Sequence, residues 1–159
     1  MTRRKLLIAV GAVGLAVMWY LFRPERLFID QAVSEEFPEA AGMTAEAPTT
    51  LLSGMFHSNA HETSGTATLH RLADGSLTLR LTGFETSNGP DVQVYLVAAS
   101  DVMDDETVTS AGFVSLGPLK GNVGDQNYAV PADLDLTKYR AVTSWCRRFG
   151  VNFGTAPLS

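Results

Sequence analysis

From Leu51 onward, apolar side chains recur at every second position in short runs broken by turn residues. That period limits what this chain can fold into more than any other feature. Thr66–Leu72 alternates, Ala73-Asp74-Gly75 supplies turn chemistry, and Leu77, Leu79 and Leu81 then alternate with Thr78, Arg80 and Thr82. The pattern predicts a β-hairpin with one buried face. Asn88-Gly89-Pro90 marks another turn, after which Val92, Val94 and Leu96 alternate with Gln93, Tyr95 and Val97. Phe113–Leu119, Asn127–Val130, Ala141–Cys146 and Phe149–Phe153 complete the strand candidates. The acidic stretch Asp101–Thr109 reads as an exposed loop with one helical turn, and Leu134–Tyr139 as a turn. No segment beyond residue 51 carries the period of a long amphipathic helix. About seven or eight short strands bury this pattern best as an all-β fold, an antiparallel β-sandwich or barrel.

The N-terminus obeys a different rule. Arg3, Arg4 and Lys5 precede Leu6–Phe22, which holds no charged residue. At about 1.5 Å per residue the run measures roughly 25 Å, against about 30 Å for a hydrocarbon core. Trp19 and Tyr20 stand where an aromatic belt would lie, and Arg23 follows within snorkelling reach. A cleaved signal peptide needs small residues at its cleavage site, and Val17–Phe22 offers none. The run predicts a transmembrane signal anchor, with the lipid bilayer as partner through residues 6–22. The positive-inside rule then leaves residues 1–5 cytoplasmic and sends the remainder outside, periplasmic or at the cell surface. Residues 23–50, with Pro24, Pro38, Pro48 and the acids Glu35, Glu36 and Glu39, read as a linker or stalk. Within it Leu27-Phe28-Ile29 and Val33 suit a short docking helix. Residues 51–159 form the β-domain.

Charge excludes one class of partner. The net charge is −5, yet three of the 12 basic residues precede the apolar run, leaving 9 against 17 acids beyond it. A domain at −8 lacks the cationic footprint of a nucleic-acid binder.

The chemistry concentrates in Ala141–Phe153, which carries the one cysteine, Cys146, between Trp145 and the pair Arg147-Arg148. A lone thiol closes no intrachain disulfide. It is either packed apolar filler beside Trp145 and Phe149, or a redox group whose thiolate needs access and nearby positive charge. On a continuous strand Arg148 shares the face of Cys146. Export sharpens the choice, because thiols outside the cytoplasm tend to be paired. His57, His61 and His70 with Cys146 resemble a His/Cys copper set in composition only. Arg147-Arg148-Phe149-Gly150 stands where a blue-copper site has its next histidine, so no metal is assigned. His61 is placed to orient the turn at Ser64-Gly65, and Asp91 to accept an amide bond in the turn at Asn88. The acids Asp101, Asp104, Asp105 and Glu106 lack the EF-hand glycine and spacing. Lys120–Gly124 lacks a Walker ending, and there is no nucleophile elbow or zinc-binding His-Glu motif.

Several of these residues together resemble a known family. Gly54-Met55-Phe56, His61–Gly65, Asn88–Asp91 with Val94-Tyr95-Leu96, and Leu116–Gly121 occur in colinear order. Gln126-Asn127-Tyr128 with Pro131, and Trp145-Cys146 ending in Phe153–Leu158, follow in the same order. Over residues 51–158 the chain resembles the DM-thirteen domain, the electron-transfer module also found in the Skeletor protein. The resemblance implies a β-rich extracytoplasmic domain, a redox or cell-envelope protein as partner, and electron or thiol-redox transfer through Cys146. His61 and Asp91 are the supporting candidates; no cofactor is specified. The competing reading is a non-catalytic ligand- or protein-binding envelope domain in which Cys146 packs the core.

Overall fold

Alternation places every second side chain of a strand on one face, and the chain satisfies that rule by stacking two sheets. The structure is a computed structural model and describes residues 3–22, 29–38 and 47–159. In chain order the elements are helix α1 (Arg3–Phe22), β1 (Ala32–Ser34), β2 (Thr49–Met55), β3 (His57–Ser58), β4 (Ser64–Arg71), β5 (Leu77–Glu85) and β6 (Val92–Val97). Helix α2 (Asp105–Ser110), β7 (Phe113–Pro118), β8 (Val123–Val130), β9 (Ala141–Cys146) and β10 (Val151–Pro157) follow. One sheet has the order β1-β8-β5-β4-β2 and the other β3-β10-β9-β6-β7. Both are open, so the sandwich holds and the barrel alternative does not.

Ten strands appear among the described residues where about seven or eight were expected. The additions are those that leave no period in the sequence. β1 and β3 are too short, and in β2 a register shift between Thr50 and Leu52 breaks the alternation. The antiparallel expectation also needs correction at one edge, where β1 pairs with β8 in parallel.

Leu69, Leu79, Leu81, Phe84, Val94, Leu96 and Val142 fill the space between the sheets, each at most 1% exposed. Phe84 gets there by a change of phase. Leu77, Leu79 and Leu81 point inward, and strict alternation would send Phe84 outward with Thr82. A register shift between Leu81 and Phe84, with Gly83 at φ +55, turns it back into the core. There its ring meets Phe56 edge-on at 5.0 Å.

The expected stalk is partly a strand of the domain. Its portions 23–28 and 39–46, including Pro24, Leu27, Phe28 and Glu39, lie outside the described residues. Between them the chain is strapped to the edge of the first sheet. Asn122 accepts from the Gln31 amide at 2.7 Å, and the Glu35 amide donates to Asp125 at 2.9 Å. Lys120 Nζ reaches both Glu35 oxygens at 2.7 and 2.9 Å, and the Asn127 amide donates to Glu35 Oε2 at 2.7 Å. Phe37 then crosses the outer face of the sheet, edge-on to His70 at 4.9 Å and beneath Arg80. The strap covers a strand edge that would otherwise present unpaired backbone groups.

The Lys120 hydrogen bond, helped by the Asn127 amide and opposed by partial burial, holds the Glu35 carboxyl below its usual value of 4.5. A carboxylate depressed in the folded state stabilises above its unfolded pKa, and that contribution disappears as pH falls through the folded value. Acidification below about pH 4.5 is therefore expected to loosen the strap before the core. Hydrogen exchange at the Glu35 and Val123 amides checks this. Glu35→Gln should flatten the acid dependence; equal protection at about pH 6 and about pH 3 would contradict it.

Helix α1 covers the apolar run as a single helix of 20 residues. Ile8, Val10, Val13, Leu15, Val17, Met18, Trp19 and Tyr20 are all exposed. Among the described residues no helix is long and apolar enough to cross a membrane.

Candidate functional site

β9 runs towards the end of the sandwich that carries the loops at 59–63, 86–91, 119–122 and 147–150, and Cys146 is its last residue. In register it lies between Val92 of β6 and Val151 of β10. Its side chain points between the sheets and is fully buried, packed with Val92 and Phe153. Trp145 points to the opposite face, into a separate cluster with Tyr95, Val97, Val102 and Val108 beneath α2. Trp145 and Cys146 are thus neighbours in sequence and separated by the sheet.

The expected second arginine does not reach the thiol. The chain leaves the strand straight after Cys146, and the Gly150 amide closes the turn on the Cys146 carbonyl at 2.8 Å. Arg148 and Phe149 are consequently exposed, Phe149 at 70%, and neither packs on the thiol. The strand expected at Phe149–Phe153 begins instead at Val151 and runs to Pro157. Phe153, two residues into that strand, takes the place beside the thiol that Phe149 was expected to fill.

Asp91 and His61 both reach this end of the sandwich, each through an intermediary. The Asp91 carboxylate accepts from Arg147 Nε at 2.8 Å and from Gln93 Nε2 at 2.6 Å. Its carbonyl accepts from the Arg147 amide at 2.9 Å. The side chain therefore clamps the turn after Cys146 to the loop before β6, whereas an amide bond within its own turn was expected. Asp91 bonds raise the Arg147 pKa. His61 lays its ring against Phe153, centroids 3.9 Å apart, instead of orienting Ser64-Gly65. The Thr63 hydroxyl donates to the His61 carbonyl and pairs with Thr86, and those bonds hold that loop. The thiol packs on Val92 and Phe153, with Leu119 and Val151 against them; His61 backs Phe153, and Asp91 clamps the turn that follows the strand.

The remaining candidates have structural partners. His57 meets Asp101 at 2.8 Å, and His70 sits on the other sheet, its pKa lowered by burial and then by Arg80. Asp104 caps α2 through the Thr107 amide at 2.7 Å, which lowers its pKa, and Asp105 accepts from the Asn152 amide at 2.6 Å. The loop Lys120–Gly124 is stapled from inside: buried Gln126 accepts from the Lys120 amide and from Tyr128, and donates to the Gly121 carbonyl. Burial pushes the Tyr128 hydroxyl pKa up. Among the described residues, no three His, Cys, Asp or Glu side chains gather as a metal set.

Sequence reasoning missed Phe153 as the cover and Arg147 as the clamped residue. The signal available was the Gly150 that ends the turn; reading it as a hairpin tip would have placed both.

The model of the family described as electron transfer DM13 matches residues 55–158, nearly the whole β-domain from the end of β2 onward. No curated protein and no solved structure matches the chain. The match spans both sheets and contains Cys146, Asp91 and His61, and the chain belongs to the electron transfer DM13 family.

Proposed function

We propose that this protein is a membrane-anchored extracytoplasmic electron-transfer domain whose redox group is the shielded thiol of Cys146. The observation that carries the reading is the position of that thiol. It is buried, yet it stands at the last residue of its strand, beneath one aromatic ring and beside a four-residue turn. On this reading, a local opening at that end, of the turn together with Phe153 and Leu119, would expose it without unfolding either sheet. Local openings of this kind cost less than global unfolding. The chemistry open to one cysteine is exchange with a partner's disulfide. The Cys146 thiolate attacks, its proton goes to solvent, a new S–S bond forms, the partner's S–S bond breaks, and the departing sulfur leaves as thiolate. Anchoring rests on the sequence of 6–22, uncharged behind Arg3, Arg4 and Lys5, and on the exposed apolar side chains of α1.

Kinetics of thiol trapping test the reading. The folded protein is expected to react with a disulfide reagent about a hundredfold more slowly than a free thiol, because only the open form reacts. Asp91→Asn, which weakens the clamp, should raise the rate with little loss of stability, and Cys146→Ser should abolish both trapping and electron transfer. A second reading has its own support, since Cys146 at 0% exposure against Val92 and Phe153 is also what core packing looks like. In that case the domain is a non-catalytic binding module of the envelope. Reaction only upon global unfolding, with Asp91→Asn without effect on the rate, would favour it.

A further inference from the structure

We infer that the end of the sandwich holding Cys146 docks on the surface of the bilayer that α1 enters, at the boundary between headgroups and acyl chains. The inference rests on the anchor reading above. Its first support is a length. α1 ends at Phe22, and the strap is already fastened at Ile29, whose carbonyl accepts from Asn88 Nδ2 at 3.1 Å. Asp30 follows, bound by Asn122 Nδ2 at 2.8 Å. Seven residue steps separate Phe22 from Ile29, and at no more than about 3.6 Å each they reach roughly 25 Å. Asn88 and Asn122 belong to the same end loops as Asp91, and Asp91 is joined to the turn after Cys146. The tether therefore fastens to the thiol end. Strands of this length make the sandwich roughly 20–30 Å long. The turns at 72–76 and 131–140, at the opposite end, meet the surface only with the tether drawn close to its limit.

The second support is the distribution of exposed apolar side chains. Ile29 at 58% and Phe149 at 70% exposure both lie at the thiol end: at the start of the strap and at the tip of the β9–β10 turn. Phe149 follows exposed Arg148, an aromatic beside a guanidinium, as interfacial segments carry. Asp30 and Glu62 occupy the same end, so a zwitterionic surface suits it better than a strongly anionic one. With the thiol end against the lipid, the exchange partner of Cys146 is a protein embedded in, or lying on, the same membrane.

The test uses the full chain in phosphatidylcholine nanodiscs doped with a gadolinium-chelating lipid, read by amide NMR. Signals of Gly89, Asp91, Arg148 and Phe149 are expected to lose intensity several-fold more than those of Asp74–Ser76 and Asp135–Thr137. Phe149→Glu should lessen the loss at 148–149 while the chain stays in the nanodisc. Uniform broadening, or broadening strongest at 74–76, with the chain retained, would overturn the docking and leave the anchor standing. A chain that never enters the nanodisc overturns the anchor reading, and the docking with it.

Discussion

Phe84→Ala is expected to cost about 3–5 kcal/mol, a large share of the roughly 5–15 kcal/mol that holds a domain of this size together. The ring is fully buried between the sheets and packs edge-on to Phe56 at 5.0 Å. Alanine would remove that contact and leave a cavity in a core whose members, Leu69, Leu81 and Val94 among them, are too well fixed to close it by small shifts. Denaturant titration is the measurement, and the midpoint should fall with the slope unchanged. Phe113→Ala is the comparison. Phe113 is 42% exposed and stacks on Tyr95 at 4.2 Å, so its loss should cost about 1 kcal/mol. Equal costs at the two sites would mean that the bulge at Gly83 does not turn Phe84 inward.

Gly124→Ala should detach the strap. Gly124 has φ +107, and a Cβ there would overlap the Val33 carbonyl of β1. The backbone conformation alone costs a non-glycine residue about 1–3 kcal/mol, and the overlap adds to it. The cheaper relief is for β1 to leave β8. Protection from exchange at the Glu35 amide, which donates to Asp125, should then disappear while that of Leu79 and Val142 remains. The freed edge of β8 should make the protein self-associate. Glu35→Ala, which keeps the backbone and removes the Lys120 and Asn127 contacts, should give a milder form of the same change. A Glu35 amide still protected in the Gly124→Ala variant would refute the close approach of the two strands.

These two sites also mark where a sequence stops being readable. Alternation identified the strand at 77–82 because one face of it is wet and the other dry, and burial writes that difference into residue type. It could not show Phe84 crossing to the inner face. A bulge shifts the phase through one backbone conformation, and a glycine in a strand has several meanings. The strap escaped for another reason. Prolines and acids between residues 24 and 39 have the composition of a linker, and only Lys120, Asn122, Asp125 and Asn127, about ninety residues further on, turn Gln31 and Glu35 into anchors.

The thiol divides the same way. The residues alone determined that the domain is built of short strands, that acids outnumber bases in it, and that its single cysteine ends a strand beside an arginine pair. Colinear motifs were enough for the family resemblance, because turn glycines, prolines and buried aromatics have fixed positions along the chain. Which side chains cover Cys146 was decided only in three dimensions. The turn at 147–150 sends Arg148 and Phe149 into solvent, brings Phe153 back over the thiol, and lets Asp91 clamp Arg147 from a loop more than fifty positions away. Local period records what each residue needs from water; it does not record which distant residue will meet it.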